Sequence, residues 1–317
     1  MKRALRYSEI QLVPKYSNLH SRSEADTSVE FLGHKFDLPI IPANMTSVID
    51  QKQAEWFSAN NLFYIMHRFQ VNSHEFVKHA NENNWRTISI SCGVNSDNPE
   101  HQQLLKIKAE GLRLDFVTID VAHSHHIKTQ ERIAWLREHF PKTKIIAGNI
   151  ATVEAATALH EWGADAVKAG IGGGSICSTR YQTGFHVPMY TCVQEIAEFA
   201  ESVDLPVIAD GGVQHMGDIA KAINAGATMV MSGGLFASCI DSPAEIIAGK
   251  KQYHGSTSFA AKKEYKHIEG ITLEIVSDTT IAQRIKDIKM ALQSSISYAG
   301  GNKLYAIRSC RAVLVAP

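Results

Sequence analysis

The chain of 317 residues has no excess of either charge, no paired cysteines and no long apolar run, and each absence removes a class of function. Lysine plus arginine balance aspartate plus glutamate at 32 each, so no overall field draws the protein toward nucleic acid or an anionic membrane. Any phosphate it binds must therefore be met locally. Its five cysteines, Cys92, Cys177, Cys192, Cys239 and Cys310, are odd in number, widely spaced and free of any Cys-x-x-Cys pair. That spacing argues against a disulfide framework or a structural zinc site and fits a reducing compartment. No apolar stretch approaches the roughly 18 residues of a membrane helix, and residues 1–9 lack the apolar core of a signal peptide, so the expected location is the cytoplasm. Nor does a Gly-x-Gly-x-x-Gly open a helix after an early strand, which leaves a Rossmann-type cofactor fold without support.

What is present is an ordinary globular composition, 44% hydrophobic and 20% charged, arranged in a repeating pattern. From residue 38 onward, short apolar runs alternate with longer amphipathic ones, as parallel strands joined by helices do. The runs at 38–43, 63–66, 87–91, 116–120, 144–147, 166–169, 206–209 and 229–231 read as eight strands. Helix-like segments at 51–60, 130–139, 152–162, 192–201 and 216–225 lie between them, and a last one covers 281–296. Eight such units predict an α/β chain folded as a single-domain (β/α)8 TIM barrel over residues 38–317, with 1–37 as a polar lead-in. An open doubly wound sheet is the alternative. Residues 237–280, rich in Gly, Ser, Lys and His, form an insertion after strand eight that reads as a flap or, more plainly, as a disordered excursion. Lys250-Lys251 and Lys262-Lys263 are expected on its solvated faces.

A barrel demands that chemistry cluster just after the strands, and the polar residues obey. Asn44-Met45 follows strand one, Asp120-Val121-Ala122-His123 strand four, Gly148-Asn149 strand five, Asp210-Gly211-Gly212 strand seven and Ser232-Gly233-Gly234 strand eight. The glycine doublets leave backbone N–H groups uncovered where barrels often hold phosphate, and Asp210 adds an acceptor suited to ribose hydroxyls. After strand six comes the most distinctive stretch, Lys168-Ala-Gly-Ile-Gly-Gly-Gly-Ser-Ile-Cys-Ser-Thr-Arg180. A lone cysteine is usually a small buried hydrophobe. Here glycines at 170, 172, 173 and 174 would be wasteful in a packed core, and Ser175, Ser178, Thr179 and Arg180 surround the thiol with donors and a positive charge that favour a nucleophilic role. The remaining four cysteines keep the bland reading. His123, His125 and His126 lack a clean ligand geometry and read as a polar loop lining the pocket rather than a metal site.

Taken in order, Gly170-Ile-Gly-Gly-Gly-Ser-Ile-Cys-Ser-Thr-Arg180, Ala209-Asp-Gly-Gly212 and Met231-Ser-Gly-Gly234 resemble the IMP dehydrogenase and GMP reductase family. The resemblance runs from Tyr7-Ser-Glu-Ile-Gln-Leu-Val-Pro14 to Ser294-Ser-Ile-Ser-Tyr-Ala-Gly-Gly-Asn-Lys-Leu304. It implies a barrel that binds a purine 5′-monophosphate and performs redox chemistry at C2 through a covalent bond to the loop cysteine. Dehydrogenases usually carry CBS modules after an early strand, and no room for them exists here. With the Thr183-Gly184 continuation and a short flap lacking an Arg-Tyr pair, this favours the reductase branch, that is, NADPH-dependent deamination of GMP to IMP and ammonia. An IMP dehydrogenase without CBS modules and a catalytically silent nucleotide-binding barrel are the alternatives.

Carried over by matched position, the resemblance makes Cys177 the nucleophile, with Thr179 and Glu269 handling protons. Met45, Ser175, Asp210, Gly211, Gly212, Gly233 and Gly234 would hold the nucleotide. Asp120, Val121 and Ala122 would meet the nicotinamide of NADPH, and Ser21, Arg22, Tyr298, Ala299 and Gly300 its distal part, across a subunit boundary. Backbone carbonyls of Gly172, Gly174 and Cys177 resemble a monovalent-cation (K+) site, and a homotetramer is implied. Two departures stand out: Gly173 replaces the usual proline, and the His186-Val-Pro-Met-Tyr190 continuation is unusual.

Overall fold

The structure, a computed structural model, describes residues 3–255, 258, 269–277 and 279–315. The lead-in carries β1 (Ile10–Leu12), β2 (Val29–Phe31) and β3 (His34–Phe36). Seven parallel strands follow: β4 (Ile40–Pro42), β5 (Ser89–Cys92), β6 (Phe116–Asp120), β7 (Lys144–Ile150), β8 (Ala166–Ala169), β9 (Val207–Asp210) and β10 (Met229–Ser232). Their order, β4-β10-β9-β8-β7-β6-β5, sets the first strand beside the last, so the sheet curls round on itself. These strands are buried nearly throughout, which is why they read as continuous apolar runs rather than alternating ones.

The second expected strand, 63–66, differs. It joins the sheet through one bridge, Met66 to Ile90, with Met66 N–H on the Ser89 carbonyl at 3.1 Å and Ser91 N–H on the Met66 carbonyl at 2.8 Å. Ring packing holds it instead. Phe63 lies 5.2 Å from Phe31, 5.2 Å from Phe36 and 4.9 Å from Phe116, centroid to centroid. Phe31 and Phe36 come from the β2–β3 hairpin, so the lead-in supplies buried core as well as polar surface. Its β1 also pairs antiparallel with β14 (Ala312–Leu314) at the other end of the chain.

Helices return the chain between strands, and short polar side chains start several of them. The Asp50 carboxylate accepts from Lys52 and Gln53 N–H to open Gln51–Ala59, Thr152 opens Val153–Glu161, and Thr280 opens Ile281–Tyr298. Among the described residues, no helix is long and apolar enough to cross a membrane.

The described part of the insertion is a three-stranded antiparallel sheet of β11 (Ile246–Ile247), β12 (Lys250–His254) and β13 (Thr272–Ile275). Of the basic pair expected on its solvated face, Lys250 is exposed and pairs with Glu274 at 2.9 Å. Lys251 is not: it points inward, 1% exposed, and its Nζ donates to the Ser242 carbonyl at 2.7 Å and hydroxyl at 2.9 Å. Strand alternation alone separates the two. Lys262-Lys263 lies outside the described residues.

Candidate active site

A cavity of about 210 Å3 opens at the carboxyl ends of the strands, where the βα loops converge. Its lining includes Met45, Asp120, Val121, Ala122, Gly172, Gly174, Cys177, Thr179, Asp210, Gly211 and Gly233, which the sequence placed at strand ends. None of His123, His125 and His126 lines it. His125 packs on Trp162 at 6.0 Å and His126 accepts the Lys128 N–H at the start of Ile127–His139, so the expected polar pocket wall is a helix-capping loop. Among the described residues, no group of His, Cys, Asp or Glu is disposed to hold a metal ion.

Cys177 is partly exposed, while Cys92, Cys192, Cys239 and Cys310 are buried. Burial pushes the Cys92 and Cys192 thiols up to about 12, which keeps them inert at neutral pH. The Cys177 thiol sits 3.2 Å from Thr179 Oγ1, and that hydroxyl donates to Glu269 Oε2 at 2.5 Å. Two chain segments far apart in sequence build this line. Residues 176–178 pair with 269–271 through Ser178 N–H on the Glu269 carbonyl at 2.8 Å and Ile271 N–H on the Ile176 carbonyl at 2.9 Å. The insertion thus delivers a carboxylate to the nucleophile loop.

Beside the thiol lies a charged cluster. Lys168, on β8, is buried with its Nζ 2.5 Å from Asp210 Oδ2 and 3.4 Å from Asp120 Oδ1. Burial works against its charge, and the Asp210 and Asp120 carboxylates more than offset it, holding its pKa above the usual lysine value. Asn149 Nδ2 also donates to Asp210 Oδ2, at 2.9 Å, and to the Gly170 carbonyl at 2.6 Å. Arg68 bonds Glu100 Oε1 at 3.1 Å and leaves its buried Nε unpartnered, 4.0 Å from Asp120. Tyr253, from β12, closes the side near Met45 and Gly233; burial and then Asp210 hold its phenol protonated well above the ordinary range.

Sequence reasoning placed Asn149 at a strand end without a partner and gave no role to Lys168, Arg68 or Tyr253. A lone lysine within Ala-Val-Lys-Ala was a signal, since a charge in a buried strand needs a partner. Arg68 follows the second apolar run, as strand-end chemistry does. Nothing in the sequence marked Tyr253, because the fold of the insertion was not legible.

Other expected residues lie elsewhere. Ser175 is exposed, Gly212 backs onto Met189 and Tyr7, and Gly234 opens the short helix Gly234–Ala237, so none of these lines the cavity. Arg22 and Tyr298 meet each other, with Nη2 on the phenol at 3.1 Å and the guanidinium 5.1 Å from the ring centre. With Ser21, Ala299 and Gly300 they stand outside the cavity within one chain.

The two sequence departures resolve into one feature. A Cβ at Gly173 would lie 2.6 Å from Met189 Sδ and 2.8 Å from its Cγ, so the Met189 thioether fills the space that a larger residue at 173 would claim. The neighbouring His186 Nδ1 bonds the Ile171 carbonyl at 2.7 Å, tying the same segment to the loop.

Comparison with known proteins gives matches along nearly the whole chain. A family model described as "IMP dehydrogenase / GMP reductase domain" matches residues 4–316. The chain is similar to proteins named "GMP reductase" from Chromobacterium violaceum, 42% identical over 99% of each chain, and from Oenococcus oeni, 43% identical over 98% of this chain and 96% of the relative. That of Bacillus subtilis is 42% identical over 99% of this chain and 97% of its own.

Proposed function

The chain belongs to the IMP dehydrogenase / GMP reductase family, and we propose that within it this protein is a GMP reductase, converting GMP, NADPH and two protons to IMP, ammonium and NADP+. The observation that carries the reading is the hydrogen-bonded line from Cys177 through Thr179 to Glu269 at the cavity edge. Cys177 attacks C2 of the guanine ring, and its proton passes to Thr179 as the Thr179 proton passes to Glu269. The same path then returns a proton to the departing amine. Covalent capture divides one hard displacement into two easier steps.

Asp210 takes the ribose hydroxyls, the backbone of Gly211 and Gly233 meets the phosphate together with the protonated Tyr253, and Met45 packs on the purine. Ser175, Gly212 and Gly234 reach the nucleotide only if their loops close on it. Asp120, Val121 and Ala122 would hold the nicotinamide, and the unpartnered Arg68 Nε, a buried donor awaiting an acceptor, fits a cofactor amide or phosphate there. NADPH, when bound, would supply the hydride that C2 receives, and cleavage of the Cys177–C2 bond then releases IMP and restores the thiol. Its distal half would lie on Ser21, Arg22, Tyr298, Ala299 and Gly300 of a second subunit, because within one chain these residues stand apart from the cavity. A tetramer would bring them together.

The carbonyls assigned to K+ fit less well. Gly172 O already accepts from Arg180 Nη1 at 3.3 Å and Gly174 O from Cys177 N–H at 3.2 Å. Arg180 thus already sets a positive guanidinium against one of the three carbonyls. Closure of the sheet as a full eight-stranded barrel over 38–317, with a flap at 237–280 and no CBS modules, completes the proposed architecture. A cytoplasmic location accords with cysteines that form no disulfide among the described residues.

The test is spectroscopic. GMP should bleach the nicotinamide absorbance of NADPH with release of ammonia; formation of NADH from IMP and NAD instead would overturn the assignment.

A further inference from the structure

We infer that Lys168 is a positioning residue that couples the two ligand pockets, holding Asp210 for the nucleotide ribose and Asp120 for the nicotinamide so that each ligand tightens the other. The inference rests on the functional reading above and adds an energetic link between its two sites.

Topology makes the link. Lys168 lies on β8, Asp210 at the end of the adjacent β9, and Asp120 at the end of β6, two strands away in the other direction. The intervening β7 carries Gly148 directly beside Lys168. A Cβ at Gly148 would fall onto the Lys168 Cβ and within 2.8 Å of its carbonyl oxygen. Glycine there lets the lysine stem cross β7 and reach Asp120. A side chain would block it.

Charge makes the link matter. One buried ammonium serves two carboxylates, 2.5 Å from one and 3.4 Å from the other. Among the described residues, the one other cation paired with either carboxylate is Arg68, which is committed to Glu100 and stands 4.0 Å from Asp120. On Asp210, Lys168 and Asn149 both use Oδ2, which leaves Oδ1 with no donor among the described residues and free for ribose hydroxyls. Hydroxyls donating to Asp210 relieve its demand on Lys168, whose charge is then shared more evenly with Asp120, fixing that carboxylate for the nicotinamide. By linkage the effect is reciprocal.

The test uses a pair that does not turn over, IMP with NADPH, and reads the dissociation constant of NADPH from its fluorescence with and without saturating IMP. In wild-type protein IMP should tighten NADPH by at least about fivefold. In Lys168→Met the factor should fall to about one, and in Lys168→Arg most of it should survive. Should Lys168→Met lack a cooperative melting transition, Asp120→Asn cuts the other end of the bridge, and the factor should again fall to about one. A folded Lys168→Met or Asp120→Asn protein with the wild-type factor overturns the inference. So does a wild-type enzyme that turns over GMP with a factor of one. Wild-type protein that neither binds IMP nor oxidises NADPH with GMP refutes the functional reading itself, which separates the two failures.

Discussion

Adding one methyl group at Gly173 should reverse its effect on stability according to what stands at position 189. In the native background the new Cβ meets Met189 Sδ at 2.6 Å and Cγ at 2.8 Å, against an ordinary contact of about 3.5–4.0 Å. The thioether has little room to yield. It is 3% exposed, and Cβ positions at Gly170 and Gly212 would also come within 3.0 Å and 2.8 Å of it, so it is wedged among three glycines. Overpacking of this kind costs about 1–3 kcal/mol, or a fall in Tm of about 2–4 °C per kcal/mol in a large domain. Gly173 has no positive φ, so alanine brings no backbone strain of its own. With Met189→Ala the obstacle is gone, and the same Gly173→Ala change should be neutral or stabilising by up to about 1 kcal/mol through the unfolded chain. Met189→Ala alone should cost about 2–5 kcal/mol. Thermal unfolding of the four proteins in the cycle measures the coupling, expected at about 1–3 kcal/mol. Gly173→Ala that stabilises the native background, or destabilises both backgrounds equally, would refute the reasoning.

Other outcomes follow from the same geometry. Glu269→Gln removes the proton acceptor at the end of the relay and should lower kcat by about 10²–10⁴-fold with little change in GMP binding, as steady-state kinetics and titration would report. Gly233→Ala sets a Cβ 2.9 Å from Met45 Cε and onto the hydroxyl of the buried Tyr253, so the KM for GMP should rise and Tm should fall with it, as kinetics and thermal unfolding would report. His67 is buried with Nδ1 unpartnered, and burial pulls its pKa down to about 4. The unfolded chain then binds the proton more readily, near pH 6.5, so the neutral form's contribution is full above that value and is lost as pH falls toward 4. That loss amounts to roughly 3 kcal/mol. Denaturant titrations should show a shallower pH dependence over this window in His67→Asn; an unchanged slope would count against it.

Much of the sheet could be read from the chain because parallel strands buried on both faces leave continuous apolar runs, as at 116–120 and 166–169, which the structure reproduces as Phe116–Asp120 and Ala166–Ala169. The run at 63–66 meets β5 only through the Met66–Ile90 bridge, because aromatic packing contributes as much to its apolar signal as a backbone ladder does. The lead-in was underestimated: Phe31 and Phe36 sit in a short hairpin whose partners, Phe63 and Phe116, lie far along the chain. The nucleophile loop stood out through its glycines, and strand-end logic found Asp120 and Asp210. That logic gives position along a strand but not direction across the sheet, and so missed that Lys168 spans both carboxylates. It also counted Gly212 and Gly234 among the lining residues, although one backs onto Met189 and the other begins a helix. Glu269 was placed by resemblance, and only the pairing of 269–271 with 176–178 gives its position a physical cause.

The central claim, that Cys177 attacks C2 of GMP for reduction by NADPH, is tested most directly by following NADPH absorbance and ammonia together in wild-type and Cys177→Ala protein. Wild-type protein should consume one NADPH for each ammonia released, and Cys177→Ala should show no turnover while still binding GMP. Turnover that persists in Cys177→Ala, or NADPH oxidation without ammonia, would contradict it.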